Sequence, residues 1–417
     1  MQFSTFAERY QRHSGTVQLM DDLGRARSAA GPVYMLGGGN PARIPRVEEI
    51  IQDTLASLLR DSTAFRRMIG EYDNPQGNFI FLELLAATLR ETFGWNVTPD
   101  HIAITNGSQS SFGLLFNSLA GPYRDGKFKK ILFPITPEYV GYTDVGLHTE
   151  NIFDGRRPSI ERMGANTFKY HIDVGALSIN DSHGAVCVSR PTNPTGNVIS
   201  DEELNTLHRL SRNAGVPLII DGAYGLPFPG MIFCDATPLW DDSVILCLSL
   251  SKLGLPGLRT GIVVADPAII HLIRNANAIN SLAPGGIGPT LAAALLHNND
   301  LMRLCNSEIR PFYQKKVRHA LDLIDTQMAD IPVRVHRAEG ALFLWLWFED
   351  LPITAQELYQ QLVERGVYII PGQHFYPGLD EDWVHRDECI RLNYAAPDSD
   401  VEQGISIIAD TVRALYG

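Results

Sequence analysis

The pattern of apolar and polar positions predicts buried strands that alternate with helices between residues 102 and 266. Short apolar runs rich in β-branched residues are typical of strands covered on both faces. They are IAIT (102–105), KKILFP (129–134), GAVCVS (184–189), VPLIID (216–221), SVILCLS (243–249) and GIVVAD (261–266).

Two of the intervening segments carry helix signals. Residues 106–120 have apolar positions at helical spacing, and Ser200 with Glu203 forms a capping box ahead of a leucine stripe. Alternation of strands and helices predicts an α/β fold with a mostly parallel, doubly wound sheet flanked by helices.

After about residue 305 the pattern changes to that of a smaller α+β domain. A helical stretch (311–328) precedes the apolar strand ALFLWLWF (341–348), and a further helix (354–366) precedes two more strands. We therefore expect an N-terminal segment (1–47) that packs with the small domain, a large ligand-binding domain (48–305) and a C-terminal small domain (306–417).

Composition and charge narrow the functional class. The chain has 417 residues, 45% hydrophobic and 20% charged, which fits an ordinary globular protein. A net charge of -12 argues against a nucleic-acid partner and an anionic membrane surface. No apolar run is long enough to span a membrane, and the N-terminus has no signal-peptide pattern.

Cysteine and histidine spacing predicts neither disulfides nor a metal site. The five cysteines are scattered and include no C-x-x-C motif, which favours a reducing, cytoplasmic compartment. His13, His101 and His336 have no partners at metal-ligand spacing.

Polar residues that directly follow the apolar runs are the candidates for chemistry, because ligands bind beyond the carboxyl ends of parallel strands. One such group opens a helix and predicts an anion site. The candidates are Asn106, Gly107, Ser108 and Gln109 after the first run, Asn193 after the third, Asp221 and Tyr224 after the fourth, and Ser249, Ser251, Lys252 and Arg259 after the fifth.

Together these residues supply a phosphate cradle, a buried carboxylate, a phenol, an amide and an amine. A pyridoxal 5′-phosphate site needs this inventory. The amine forms a Schiff base, and the carboxylate keeps the pyridine nitrogen protonated, so that the ring can accept electrons. Arginine, serine and helix N–H groups bind the phosphate.

Three motifs in this order, RPTNPTGN, DGAYG and SLSKLGLPGLRTG, resemble the fold-type I aminotransferases of the aspartate aminotransferase superfamily. The resemblance covers nearly the whole chain. The stretches LGGGNPARIP, YDNPQG, TNGSQS, PEYVGY, LAPGGIGP and FLWLWFEDLPIT resemble the branch that exchanges an amino group between valine and pyruvate.

The resemblance implies a role for each matching position. Lys252 carries the cofactor and shuttles the substrate Cα proton, Asp221 pairs with the pyridinium nitrogen, and Tyr224 and Asn193 bind the ring oxygen O3′. The phosphate is surrounded by Gly107, Ser108, Gln109, Ser249, Ser251 and Arg259. Seven positions separate Lys252 from Arg259, where many family members have eight. Arg259 therefore matches the family pattern less closely than Lys252 does.

The same resemblance implies the substrate contacts and a homodimer. Tyr139 stacks on the cofactor ring, Arg391 binds the substrate α-carboxylate, and Gly39 lets the substrate approach closely. Asn193 also lies on the substrate side. Tyr72 reaches the phosphate of the neighbouring subunit.

Residues 278–289 correspond to the stretch that supplies a second arginine in aspartate-specific relatives, and here they contain no arginine or lysine. A buried side-chain carboxylate would be unpaired there, so we expect small neutral amino acids, with valine and alanine as the main pair.

Alternatives remain open at this point. Each motif alone has a simpler interpretation, since NPTG is also a turn sequence and a lone lysine is usually a surface charge. A C–S lyase, a cyclopropane-acid synthase, a cofactor-sensing regulator or a scaffold protein could use the same fold. A regulator is disfavoured because only a short, non-basic segment precedes LGGGNP.

Overall fold

The computed structural model describes residues 1–11, 14–28 and 31–417. The α-helices are α1 (Thr5–Glu8), α2 (Gly15–Ser28), α3 (Pro45–Arg60), α4 (Ser62–Ile69), α5 (Phe79–Phe93), α6 (Ser108–Leu119), α7 (Asp201–Asn213), α8 (Pro267–Ser281), α9 (Ile287–His297), α10 (Asp300–Leu304), α11 (Arg310–Gln327), α12 (Ala355–Glu364) and α13 (Asp398–Tyr416). The strands are β1 (Tyr34–Met35), β2 (Ile102–Thr105), β3 (Gly121–Pro122), β4 (Phe128–Phe133), β5 (Phe153–Gly155), β6 (Ser159–Met163), β7 (Thr167–His171), β8 (His183–Ser189), β9 (Leu218–Asp221), β10 (Val244–Ser249), β11 (Gly261–Val264), β12 (Val333–His336), β13 (Phe343–Phe348), β14 (Val367–Tyr368), β15 (Ile370–Pro371) and β16 (Cys389–Asn393).

The large sheet has the strand order β2-β11-β10-β9-β8-β4-β3, with β5 paired to β4. Strands β5, β4, β8, β9 and β10 run parallel, whereas β11 is antiparallel to both of its neighbours. The sheet is therefore mostly parallel, as predicted. Ser189, Asp221 and Cys247 stand side by side in the register, so that β8, β9 and β10 end at one edge.

Helices cover both faces of this sheet. Side chains alternate along β9, so that Ile219 packs in the cluster that contains Phe112 and Phe116 of α6. Leu218 and Ile220 point to the other face, where the leucine stripe of α7 packs. The predicted capping box of α7 is present, since Glu203 N donates to Ser200 Oγ at 3.1 Å and Ser200 N donates to the Glu203 carboxylate at 2.8 Å.

The second sheet has the order β15-β16-β13-β12-β7-β6. The predicted strands near residues 341–348 and 389–395 form its centre, as β13 and β16. The hairpin β6–β7 comes from the middle of the chain and joins this sheet through a parallel pairing of β7 with β12. One hairpin from the predicted range 48–305 therefore belongs to the sheet formed mainly by the range 306–417. The domain boundaries themselves stay a prediction.

The N-terminal segment contacts strands β14 and β16 and also the turn that follows β4 of the large sheet. Strand β1 pairs in parallel with β14, and Asn393 N donates to the Leu36 carbonyl at 2.7 Å. Helix α2 lies against the turn that follows β4, where Thr16 Oγ1 donates to the Val140 carbonyl at 3.5 Å. Within the described residues, no helix has the length and apolar character needed to cross a bilayer.

Candidate active site

A cavity of about 150 Å³ lies at the carboxyl edge of the large sheet, between that sheet and the second one. All predicted site residues except Asn106, Gly107 and Tyr72 line it. They are Gly39, Ser108, Gln109, Tyr139, Asn193, Asp221, Tyr224, Ser249, Ser251, Lys252, Arg259 and Arg391. Side chains separated by up to several hundred positions therefore meet in one place.

Lys252 lies in a single 3-10 turn, Ser251–Leu253, that directly follows β10. Its Nζ donates to the Gly39 carbonyl at 2.7 Å and lies 5.1 Å from the centre of the Tyr224 ring. Burial and the cations Arg391 and Arg259 lower the pKa of this amine to about 8, against a smaller opposite effect of Asp221. An amine with this pKa is available as a nucleophile and as a proton acceptor near neutral pH.

Asp221 is the last residue of β9 and is 8% exposed. One carboxylate oxygen accepts a hydrogen bond from Tyr142 Oη at 2.5 Å, and the other accepts from Ala223 N at 2.9 Å. Burial raises the pKa of this carboxyl, and the bonds from Tyr142 and Ala223 oppose that shift. The carboxyl group is thus held in one orientation beside the cavity that contains Lys252.

Arg391, on β16, is a buried cation with no carboxylate partner in the described part of the chain. Its two terminal nitrogens donate to Asn193 Oδ1 at 2.7 Å and to the Gly37 carbonyl at 2.5 Å. Its Nε is buried without a hydrogen-bond partner, and its guanidinium lies 4.1 Å from the centre of the Phe343 ring. Burial lowers its pKa to about 10. A buried, unpaired guanidinium favours an anionic ligand.

The start of α6 and Arg259 form the second cationic end of the cavity. Gly107 precedes this helix with φ 95°, and a Cβ there would lie 2.2 Å from Arg259 Nη2. Glycine is favoured here because a side chain at this φ is strained, and a Cβ would also push the guanidinium away. The first backbone N–H groups of the helix, which begins at Ser108, have no partner within it and carry its positive dipole end. A phosphate has the charge and size that such a cradle binds.

Serine and glutamine side chains complete this end. Ser251 N donates to Ser249 Oγ at 3.1 Å, which fixes the turn that carries Lys252. Gln109 Nε2 donates to the Gly141 carbonyl at 2.8 Å, and Gln109 Oε1 is buried without a partner.

Aromatic rings close the cavity from two sides. Tyr139 lies at the turn after β4 and contacts Tyr142 edge-on, with ring centres 5.3 Å apart. Tyr224 is 5% exposed and packs edge-on against Phe343 at 5.8 Å. Burial raises the pKa of both cavity tyrosines, so both phenols stay neutral hydrogen-bonding groups.

Tyr72, predicted at the phosphate of a neighbouring subunit, is not explained by this cavity. Tyr72 is 83% exposed and lies outside the cavity. His13 lies outside the described residues. Of the other histidines considered, His101 contacts Thr98 Oγ1 at 2.9 Å, and His336 Nε2 accepts from Tyr170 N at 3.0 Å.

Several residues of the site escaped the sequence prediction. Glu138 and Tyr142 lie in the same stretch as Tyr139, PEYVGY, in which the family resemblance implies a role for Tyr139 alone. Glu138 is fully buried, accepts hydrogen bonds from the backbone and hydroxyl of Ser189, and has a pKa raised by burial to about 8. Pro191 and Ala223 line the cavity from within the motifs RPTNPTGN and DGAYG, in which other residues are assigned the roles. Leu19, Phe112 and Ser189 line it from outside the three motifs.

Known proteins resemble this chain over its full length. A family model described as aminotransferase class I and II matches residues 157–408. Valine–pyruvate aminotransferase of Escherichia coli (strain K12) is 49% identical over 416 residues, which cover 100% of this chain and 99% of that protein. The chain belongs to the class I and II aminotransferases. This confirms the resemblance drawn from the three motifs.

Two crystal structures resemble the aminotransferase described here. A putative amino-acid aminotransferase from Psychrobacter arcticum 273-4 has a TM-score of 0.96 and 43% identity, covering 100% of this chain and 99% of that one. Valine–pyruvate aminotransferase from Salmonella typhimurium LT2 has a TM-score of 0.88 and 46% identity, covering 96% and 99%. The fold-type I prediction is thereby confirmed.

Aminotransferases of this class use pyridoxal 5′-phosphate. The cavity fits that group on two structural grounds. The cradle between Gly107 and Arg259 has a strained backbone that favours glycine, and its positive charge suits a phosphate. The buried carboxyl of Asp221 shares the cavity with the Lys252 amine. The cofactor needs both groups, because its protonated ring nitrogen and its aldehyde carbon lie at opposite sides of one ring.

Proposed function

We propose that this aminotransferase exchanges an amino group between L-valine and pyruvate, giving 3-methyl-2-oxobutanoate and L-alanine. The observation that carries the proposal is the set of charges in the cavity. Its basic side chains, within the described residues, are Lys252, Arg259 and Arg391. The relative in E. coli named valine–pyruvate aminotransferase supports the choice of substrates.

Each of these three cations has a task that leaves none for a second substrate carboxylate. Arg259 faces the helix start at Gly107, where it would bind the cofactor phosphate with Ser108, Gln109, Ser249 and Ser251. Arg391 and Asn193, joined at 2.7 Å, would hold the substrate α-carboxylate. Lys252 supplies the amine. A dicarboxylic side chain would be buried without a counter-ion, so a neutral side chain is favoured.

When bound, pyridoxal 5′-phosphate supplies an aldehyde for the amino group and a ring that accepts electrons from the substrate Cα. The residues around it divide the remaining work. Asp221, oriented by Tyr142 and Ala223, would keep a positive charge on the ring nitrogen. Tyr224 and Asn193, which line the cavity, would donate to the ring oxygen, and Tyr139 would cover one ring face.

Lys252 would move the proton. Its amine would accept the proton from the substrate Cα and later release it inside the same cavity. The flexible side chain, at the end of β10, lets the amine move between these two events. Its lowered pKa of about 8 lets it accept and release a proton near neutral pH. The Gly39 carbonyl, 2.7 Å from Nζ, would orient the amine between these events. A 2-oxo acid then leaves, a second one enters, and ping-pong kinetics are expected.

The purified holoenzyme tests this function directly. Formation of alanine from valine and pyruvate should proceed far faster than amino transfer from aspartate or glutamate. A preference for a dicarboxylic amino acid would overturn the proposal. Release of pyruvate from cysteine conjugates without any second oxo acid would instead identify a C–S lyase.

We also propose that the chain acts as a homodimer, to which Tyr72 contributes. Exposed apolar side chains lie on or directly after helices α4, α5, α8 and α9. They are Phe65, Ile69, Tyr72, Phe79, Ile80, Ile279, Leu282 and Ile287. Asn106, next to Gly107, bonds to Ser281 near the end of α8. Exposed apolar side chains favour a protein partner, and a second copy would bring Tyr72 to the phosphate. A monomeric mass by light scattering would contradict this.

A further inference from the structure

Helix α2 is fixed to other parts of the fold near both of its ends. At its start, Thr16 Oγ1 donates to the carbonyl of Val140, next to the cavity tyrosine 139. Near its end, the buried carboxylate of Asp22 accepts a hydrogen bond from Tyr359 Oη of α12 at 2.7 Å. The two anchors are six residues apart, which places them about 120° apart around the helix axis, with the stripe between them facing the interior.

Leu19 stands halfway between the anchors, within that stripe, three residues from each. Its side chain is half-buried and lines the active-site cavity together with Gly39 and Lys252. Among the described residues that line the cavity, Leu19 is the branched aliphatic one. The other apolar contributors are aromatic rings, a proline and Ala223.

We propose that Leu19 contacts the substrate side chain and thereby determines which neutral amino acids the enzyme accepts. The inference rests on the proposed function. Arg391 takes the α-carboxylate and Lys252 works at the amino group and the Cα proton, so the side chain is the substituent left to the apolar wall. Leu19 belongs to that wall, and its anchors keep it in place.

The size of the effect follows from the small energies of apolar discrimination. One methylene group in an apolar pocket changes kcat/KM by about tenfold or more. Valine exceeds alanine by two methyl groups, which would contact Leu19, whereas the methyl group of alanine is too short. Leu19→Ala should therefore lower the valine-to-alanine ratio of kcat/KM about tenfold, mainly through KM. Leu19→Phe should lower the same ratio by filling the space for the two methyl groups.

Leu23→Ala is the matched control. Leu23 is one turn further along α2 and is also half-buried, but it lines a neighbouring cavity and not the one with Lys252. If Leu19 only packs the helix against the fold, as Leu23 does, then each Ala variant lowers activity on valine and on alanine by the same factor. With the proposed contact, Leu23→Ala keeps the valine-to-alanine ratio of the unchanged enzyme.

Binding without turnover gives a second readout. Calorimetry on the holoenzyme compares 3-methylbutanoate, which has the valine side chain, with acetate, which lacks it. Leu19→Ala should weaken 3-methylbutanoate about tenfold and leave acetate within about twofold. Equal changes for both acids, or none, would overturn the role of Leu19. Failure of the proposed function shows separately, as absence of valine transfer by the unchanged enzyme.

Discussion

Two lysines of this protein, one buried and one half-buried, have opposite surroundings. Lys169, on β7 of the second sheet, is 7% exposed and donates to the Glu339 carboxylate and to the Val198 carbonyl at 3.0 Å. Lys252, after β10 of the large sheet, donates to the Gly39 carbonyl at 2.7 Å and has two arginines nearby. One lysine has a carboxylate directly bonded to it, and the other does not.

The difference teaches how this fold uses one lysine in an ion pair and another as a reactive amine. The Glu339 carboxylate that bonds to Lys169 also accepts from Val198 N at 3.1 Å. Near Lys252 the carboxylate of Asp221 is held by Tyr142 and Ala223, while burial and Arg391 and Arg259 disfavour the charge. Burial alone therefore does not mark the reactive lysine, whereas the missing counter-ion does.

The Lys169 pair has a structural task that the comparison makes visible. Glu339 N donates to the Gly196 carbonyl, and the Glu339 carboxylate holds Val198. These contacts fasten the segment after Asn193 to the second sheet. The pair thus supports the site from outside the cavity.

The largest contrast is expected when each lysine is removed in turn. Lys252→Ala should lower amino transfer by about 10⁴-fold or more, because both the amine and the proton carrier are lost. Its thermal midpoint should change little, because no ion pair is broken. Activity is measured with valine and pyruvate.

Borohydride reduction supplies an independent check of the same variant. The unchanged holoenzyme should retain the cofactor covalently on the peptide with Lys252, as read by mass spectrometry. Lys252→Ala should retain none. Normal turnover in Lys252→Ala, or covalent labelling at Lys169, would refute the contrast.

Much of the large sheet and of its polar edge was predictable. The buried strands carry continuous apolar runs because helices cover both faces, and a register aligned at Asp221 brings the residues after each run together. Lys252 could thus be chosen from the sequence, because its position after a strand places it at this edge.

The rest of the site depends on contacts that no local pattern encodes. Leu19 meets the cavity from a helix that precedes all predicted strands, and Tyr142 reaches Asp221 across 79 positions. The β6–β7 hairpin was not predicted either, since β6 is largely exposed and has no apolar run. Such features follow from the packing of distant segments, which a single sequence does not display.

A smaller effect is expected from breaking the Lys169 pair. Lys169→Met leaves the Glu339 carboxylate buried, with Arg337 at 3.2 Å as its one remaining cationic partner among the described residues. Loss of one partner of a buried pair costs about 3 kcal/mol or more in the free energy of unfolding. Urea unfolding measures this loss, and kcat/KM should fall much less than in Lys252→Ala.

The double variant Lys169→Met/Glu339→Leu is the control for that prediction. Removal of both charges avoids an unpaired buried ion, so most of the lost stability should return. If the double variant is less stable than Lys169→Met, the pair has a role other than charge neutralisation. An unchanged midpoint in Lys169→Met would show that the ion pair contributes nothing measurable.

The gentlest test titrates Lys252 without removing it. The neutral amine captures the aldehyde of pyridoxal 5′-phosphate, and with a pKa of about 8 roughly one tenth of it is neutral at pH 7. A free lysine would have about one molecule in 2,500 in that form. Capture by the apoprotein should therefore rise about eightfold between pH 7 and 8.5 and then level off.

Arg391→Met should move this rise to higher pH, because one of the cations that lower the pKa of Lys252 is gone. Arg209→Met, which changes an exposed arginine of α7, should leave the profile in place. Stopped-flow absorbance of the bound cofactor follows the rates. A rise that continues to pH 10 in the unchanged protein would mean that Lys252 behaves as an ordinary lysine, and the contrast with Lys169 would then rest on position alone.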